Sequence, residues 1–140
     1  MTETIFVDTA GWIALLNSDD TLHQPAIREM QKLRDRQVVL VTTEFILLEV
    51  ADALSSPHVR TKTVSFINGL RNTPLVKITP ITPQLFAKAW ELYSQRPDKD
   101  WGLTDCSSFV VMAEEKITLA FTSDKHFEQA GFSRLLYPPR

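Results

Sequence analysis

Cys106 is the only cysteine in 140 residues, so no intramolecular disulfide and no thiolate zinc cage can hold this chain together. The four glycines, at 11, 69, 102 and 131, are scattered and form neither a flexible linker nor a phosphate-binding loop. No G-x-S-x-G turn, G-x-x-x-x-G-K-[ST] loop or G-x-G-x-x-G turn occurs. Long apolar runs are missing too. Runs such as Phe109-Val110-Val111-Met112-Ala113 and Phe45-Ile46-Leu47-Leu48 fall far short of the roughly 20 residues a spanning helix needs, so no membrane segment is expected. Positive charge is scarce: 15 Lys and Arg against 17 Asp and Glu give a net charge of −2, which excludes a nonspecific nucleic-acid coat. Glu3, Asp8, Asp19 and Asp20 all precede the first basic residue, Arg28. An acidic Met-Thr-Glu-Thr start lacks the basic end of a signal peptide, and the expected compartment is the cytoplasm.

What the chain does have is apolar bulk. Leu, Ile, Val and Phe supply 42 residues, enough for one buried core, and no internal repeat divides the sequence, so residues 1–140 read as a single domain. Short β-rich runs alternate with segments of helical period, the pattern of an α/β protein with a mostly parallel sheet. Strands are expected at residues 4–7, 38–42, 75–78, 118–122 and, at the edge before Pro138-Pro139, 135–137. Helical stripes run through Trp12, Ile13 and Leu16, through Ile27, Met30 and Leu33, across residues 44–54, and through Val64, Ile67 and Leu70 in a helix over 61–70. Thr82-Pro83 is a cap followed by proline at the first helical position, with Leu85, Phe86, Ala89, Leu92 and Tyr93 on one face. Thr104 is read as the next cap, ahead of a stripe of Cys106, Phe109, Val110 and Ala113, and a short helix over 125–130 stops at Gly131.

Ligands of open parallel sheets bind beyond the carboxyl ends of the strands. Asp8 follows the first strand and Asp124 the fourth. Aspartate also serves as a helix cap or turn residue at such places. Asp105 has an ordinary role in the first turn of a helix, and Glu49, with Asp52 and Ser56, fits a solvated polar stripe. Together the four acids carry a formal charge of about −4, and repulsion in a shared cleft would raise their pKa values unless cations neutralised it. Oxygen donors without cysteine favour Mg²⁺ or Mn²⁺ over Zn²⁺. The three histidines, at 23, 58 and 126, show no ligand spacing, and Cys106 reads as a packed core thiol. Trp101 reads as an anchor at a loop-to-helix junction or as a base-stacking ring.

The motifs Val7-Asp8-Thr9, Leu47-Leu48-Glu49-Val50, Asp98-x-Asp100-Trp101-Gly102-Leu103-Thr104-Asp105-Cys106 and Thr122-Ser123-Asp124-x-His126-Phe127 resemble those of the PIN domain family, in particular its VapC-type toxin branch. The resemblance implies a three-layer α/β/α sandwich with strand order 3-2-1-4-5. It matches Asp8, Glu49, Asp105 and Asp124 to an acidic metal-binding quartet, with Asp100 as a neighbour. Gly102 stands where serine is usual, and Ala10-Gly11 where a serine often follows Asp-Thr. The chemistry implied is Mg²⁺- or Mn²⁺-dependent hydrolysis of an RNA phosphodiester. Lys99, Lys125 and His126 are the candidate substrate contacts, a cognate antitoxin and a homodimer the implied partners. A catalytically silent PIN module is the alternative. A phosphatase or phospho-receiver is disfavoured, because Ala10 stands where a dehalogenase-type phosphatase needs a second aspartate.

Overall fold

Val7 and Phe121 lie side by side in the middle of a parallel sheet, and everything that follows is arranged around that pairing. The computed structural model describes residues 3–138; Met1, Thr2 and Pro139, one of the two prolines expected to close the last strand, lie outside them. The chain alternates β1 (Thr4–Val7), α1 (Thr9–Leu16), α2 (His23–Asp35), β2 (Val39–Thr43), α3 (Glu44–Ala53), α4 (Pro57–Arg71) and β3 (Val76–Thr79). It continues through α5 (Pro83–Gln95), α6 (Leu103–Glu115), β4 (Leu119–Phe121), α7 (His126–Gln129) and β5 (Ser133–Arg134). The five strands pair in the order 3-2-1-4-5, all parallel. The order expected from the family resemblance is the order observed.

Parallel strands need crossovers, and crossovers in one sheet are right-handed, so the reversal of strand order at β1 divides the helices between two faces. One face is built around Trp12, whose ring meets Phe66 edge-on at 5.7 Å. The other is built around Phe6, Phe109 and Phe127, with the Phe109 and Phe127 rings 5.0 Å apart. β1 is buried on both faces, so Ile5, Phe6 and Val7 read as an unbroken apolar run. Trp12 Nε1 donates to Thr42 Oγ1 at 3.1 Å and Thr42 Oγ1 donates to the Val7 carbonyl at 2.9 Å, which ties α1 to the ends of β1 and β2.

Several local expectations are corrected. α4 begins at Pro57 rather than residue 61, because Ser56-Pro57 repeats the cap-then-proline signal of Thr82-Pro83. α6 begins at Leu103 with Gly102 as its cap, not Thr104. The Asp105 carboxylate, three residues along, accepts from the Gly102 N–H at 3.0 Å, and glycine has no side chain to return the bond. Within α6, Val111 and Met112 are buried while Ala113 is exposed. In α5, Leu85 and Ala89 are buried, whereas Phe86 and Tyr93 face solvent; Ile27 and Val64 are likewise exposed. β5 is Ser133–Arg134, because Leu119 and Ala120 pair with those residues and Leu136 turns into the core instead. β2, β3 and β4 keep their expected places within a residue or so. No helix of the described residues is long and apolar enough to cross a membrane.

Gly11 is where α1 comes up against the end of β4. A Cβ there would stand 2.3 Å from the Phe121 carbonyl oxygen, a backbone atom that cannot swing away. Gly11→Ala is therefore expected to lower unfolding stability by about 1–3 kcal/mol in urea titrations. A variant as stable as the parent would show that α1 is not wedged against β4.

Candidate metal and phosphodiester site

The crevice lies where the strand order reverses, beyond the carboxyl ends of β1 and β4. Asp8 leaves β1 there with its N–H bonded to the Phe121 carbonyl at 3.3 Å. Its side chain is only 4% exposed. Thr122 Oγ1 donates to Asp8 Oδ2 at 2.8 Å, and the same hydroxyl oxygen accepts the Asp124 N–H at 3.0 Å. One buried threonine thus joins the Asp8 carboxylate to the backbone of Asp124. The turn that carries Asp124 is closed by the His126 N–H on Asp124 Oδ1 at 2.9 Å. Arg134 Nη1 pins it further by donating to the Ser123 carbonyl.

Asp105 enters from the first turn of α6, and His126 connects it to the β4 end. His126 Nδ1 lies 3.2 Å from Asp105 Oδ2 and 3.3 Å from Asp124 Oδ1, while Nε2 lies 3.1 Å from Asp100 Oδ1. Ligand atoms of Asp105, Asp124 and His126 all fall within 4.8 Å of one another. The histidine for which the sequence showed no ligand spacing is at the centre of the cluster, and only the fold brings it there. Glu49 is exposed and joins less directly: Thr9 Oγ1 donates to Glu49 Oε1 at 2.6 Å, linking α3 to the residue after Asp8. Thr9 and Thr122 are the supports that sequence reasoning passed over, although each sits inside a quoted motif beside an acid. Lys125 is exposed next to Asp124, and Lys99 is half-buried beside Asp100. Neither has an ion-pair partner among the described residues.

Electrostatics give the arrangement a purpose. Burial raises the Asp8 pKa from 3.8 to about 7; Asp105 and Asp124 push it further up, while the Thr122 hydroxyl and Thr9 N–H pull it down. Burial also raises the Asp105 pKa and repulsion from Asp124 adds to this, against the lowering effects of the Gly102 N–H and His126. No lysine or arginine is among the groups acting on Asp8. A buried carboxylate without a cationic side chain, close to two more acids and an imidazole nitrogen, is a donor set that fits a divalent cation. His126 sets one ring nitrogen against Asp100 and the other between Asp105 and Asp124, beside the oxygens that would hold a cation.

The sequence profile of the PIN domain matches residues 5–133. The chain is 30% identical over 128 residues to the 23S rRNA-specific endonuclease VapC20 of Mycobacterium tuberculosis, covering 91% of this chain and 95% of that protein. The crystal structure of VapC20, described as a sarcin-ricin loop cleaving toxin, superposes with a TM-score of 0.81 at 28% identity, over 96% of this chain and 99% of that one. FitAcB from Neisseria gonorrhoeae superposes with a TM-score of 0.66 at 14% identity, over 93% and 95% of the two chains, a likeness of fold alone.

The raised Asp8 pKa fixes the sign of a pH dependence. Between about 4 and 7 the native protein holds a proton on Asp8 that the unfolded chain has lost. The metal-free protein is therefore expected to lose stability, on the order of a few kcal/mol, as pH climbs through that window, and to level off above it. Denaturant titrations across pH in a chelating buffer check this, and Asp8→Asn should flatten the slope. A metal-free parent whose stability rises from pH 4 to 7 would contradict it.

Proposed function

Because this chain belongs to the PIN domain family, a family of nucleases, we propose that it is a divalent-metal-dependent endoribonuclease and the toxin of a toxin–antitoxin pair. The observation that supports this most is the buried Asp8 carboxylate, which feels the charges of Asp105 and Asp124 and has no cationic partner, beside the cluster of Asp105, Asp124 and His126. In this reading Asp8, Asp105 and Asp124 hold the ion, with Mg²⁺ or Mn²⁺ the expected occupant, and Glu49 completes the set from α3. When bound, such an ion supplies Lewis-acid chemistry, acidifying water and offsetting charge that develops on a phosphate.

The chain's own residues do the rest. Thr122 and Thr9 hold Asp8 and Glu49 in place, so the carboxylates keep their geometry when no ion is present. The Gly102 N–H does the same for Asp105. His126, fixed on Nε2 by Asp100, presents Nδ1 to the cleft. Lys99 and Lys125 border the site with their ammonium groups unpaired among the described residues, where a phosphate backbone would be drawn. The partner expected is an antitoxin that covers this cleft, the assembly a homodimer, and the place of action the cytoplasm. The fit to VapC20, whose name specifies 23S rRNA, favours RNA over other phosphodiesters.

The test is cleavage of single-stranded and hairpin RNA by the wild-type protein, Asp8→Asn and Asp105→Asn, with Mg²⁺ or Mn²⁺ and with chelator. The wild type is expected to cut only with metal, and either variant to lose roughly 100-fold or more in rate. Wild-type rates in Asp8→Asn would overturn the proposal. RNA retained without cleavage or metal binding would instead assign the chain to a silent binding module.

A further inference from the structure

The loop that carries Asp100 and Gly102 to the acidic cluster also walls a separate cavity of about 700 Å³. The opposite wall is the last turns of α5, and Cys106 of α6 lies at the base. That volume is within the roughly 300–1,000 Å³ of small-ligand sites. Trp90 and Tyr93 line it, their rings stacked with centroids 5.5 Å apart and planes 22° apart. They are 53% and 45% exposed, so two parallel aromatic faces stand in water at one place. Trp101 lines the same cavity differently. It is 6% exposed, donates Nε1–H to Gln129 Oε1 at 3.1 Å and packs edge-on against Phe109, which makes it the anchor of the loop.

Two cations share this cavity. The Arg96 guanidinium, held by Asp98 through two hydrogen bonds, lies 5.1 Å from the Trp101 ring centroid, and the Lys99 ammonium lies 6.0 Å from it. Lys99 has no carboxylate partner among the described residues. The cavity adjoins the cluster through Asp100, a lining residue whose Oδ1 lies 3.1 Å from His126 Nε2.

We propose that this cavity is a nucleotide subsite, in which an unpaired RNA base stacks on the Trp90–Tyr93 pair while the adjoining phosphodiester lies over the acidic cluster. The inference rests on the RNA reading above and adds a requirement to it, that the strand be unpaired beside the point of cleavage. Flat aromatic faces accept any base, and stacking demands that the base be free of its own helix. Arg96 is already paired with Asp98, so the Lys99 ammonium is the charge the cavity offers a polyanion. The shared loop gives the subsite a direct route to catalysis, since a base held here fixes the register of the strand across His126 and Asp105.

The test titrates metal-free protein, which leaves the strand uncut, into two labelled strands of equal length: a mixed-sequence single-stranded RNA and a sugar-phosphate strand without bases. Anisotropy is compared for the wild type, Trp90→Ala, Tyr93→Ala and Trp90→Phe, with circular dichroism to verify folding. Trp90→Ala is expected to weaken RNA binding roughly 5- to 100-fold, and Trp90→Phe to recover most of it. The base-free strand should bind all four proteins alike, and only the RNA should quench wild-type tryptophan emission. With metal present, Trp90→Ala should lower kcat/KM on the RNA by a similar factor. Unchanged RNA affinity in both alanine variants overturns the subsite while wild-type cleavage leaves the RNA reading intact. A lower sedimentation mass for Trp90→Ala with unchanged RNA affinity also overturns it, assigning the rings to contact between copies. Failure of the wild type to bind or cut any RNA overturns the RNA reading and the subsite with it.

Discussion

A carboxylate removed from water at the end of a strand is costly unless something neutralises it, and Asp8 is such a carboxylate. Its position is not adjustable. β1 is buried on both faces, Val7 is registered against Phe121, and Gly11 brings α1 within contact of the Phe121 carbonyl. The chain meets that cost with neutral supports, a threonine hydroxyl and a backbone N–H, and places further acids nearby instead of a base. A divalent ion held there, as proposed, would offset that cost, since a ligand that binds only the native state shifts stability toward that state. The strand order then determines which residues gather, because the reversal at β1 puts the ends of β1 and β4 together and aims the start of α6 at the same crevice.

The alternation of short apolar strands with periodic helices was readable without coordinates, since both faces of a parallel sheet must be covered. The order of the strands was not; it came from family likeness, because pairing partners leave no mark in periodicity. Boundaries went astray where one local signal outweighed another. Thr104 looks like a better cap than Gly102, yet Asp105 supplies the bond that starts α6 two residues earlier. Leu135 and Leu136 look like strand, yet register assigns the pairing to Ser133 and Arg134. The α5 stripe mixed side chains that pack inward, Leu85 and Ala89, with rings left in water, Phe86 and Tyr93, which a hydrophobic period cannot separate.

Asp8 and Asp124 were visible as candidates because strand ends are where ligands of such sheets bind. Asp105 was not distinguishable from a helix-start carboxylate by spacing, and the structure shows it in that role as well: the same oxygen that receives the Gly102 N–H faces His126. His126 was hidden because its partners are 21 and 26 residues earlier in the chain for Asp105 and Asp100, and only the turn after β4 brings its ring back to them. Glu49 remains the least tightly held, reaching the site through Thr9.

Anomalous scattering from a crystal grown with Mn²⁺ tests the central claim most directly. The account predicts a strong peak among Asp8, Asp105 and Asp124, close to His126 Nδ1. A protein saturated with Mn²⁺ whose peaks all lie elsewhere, with Asp8 still protonated and bonded only to Thr122, would contradict it.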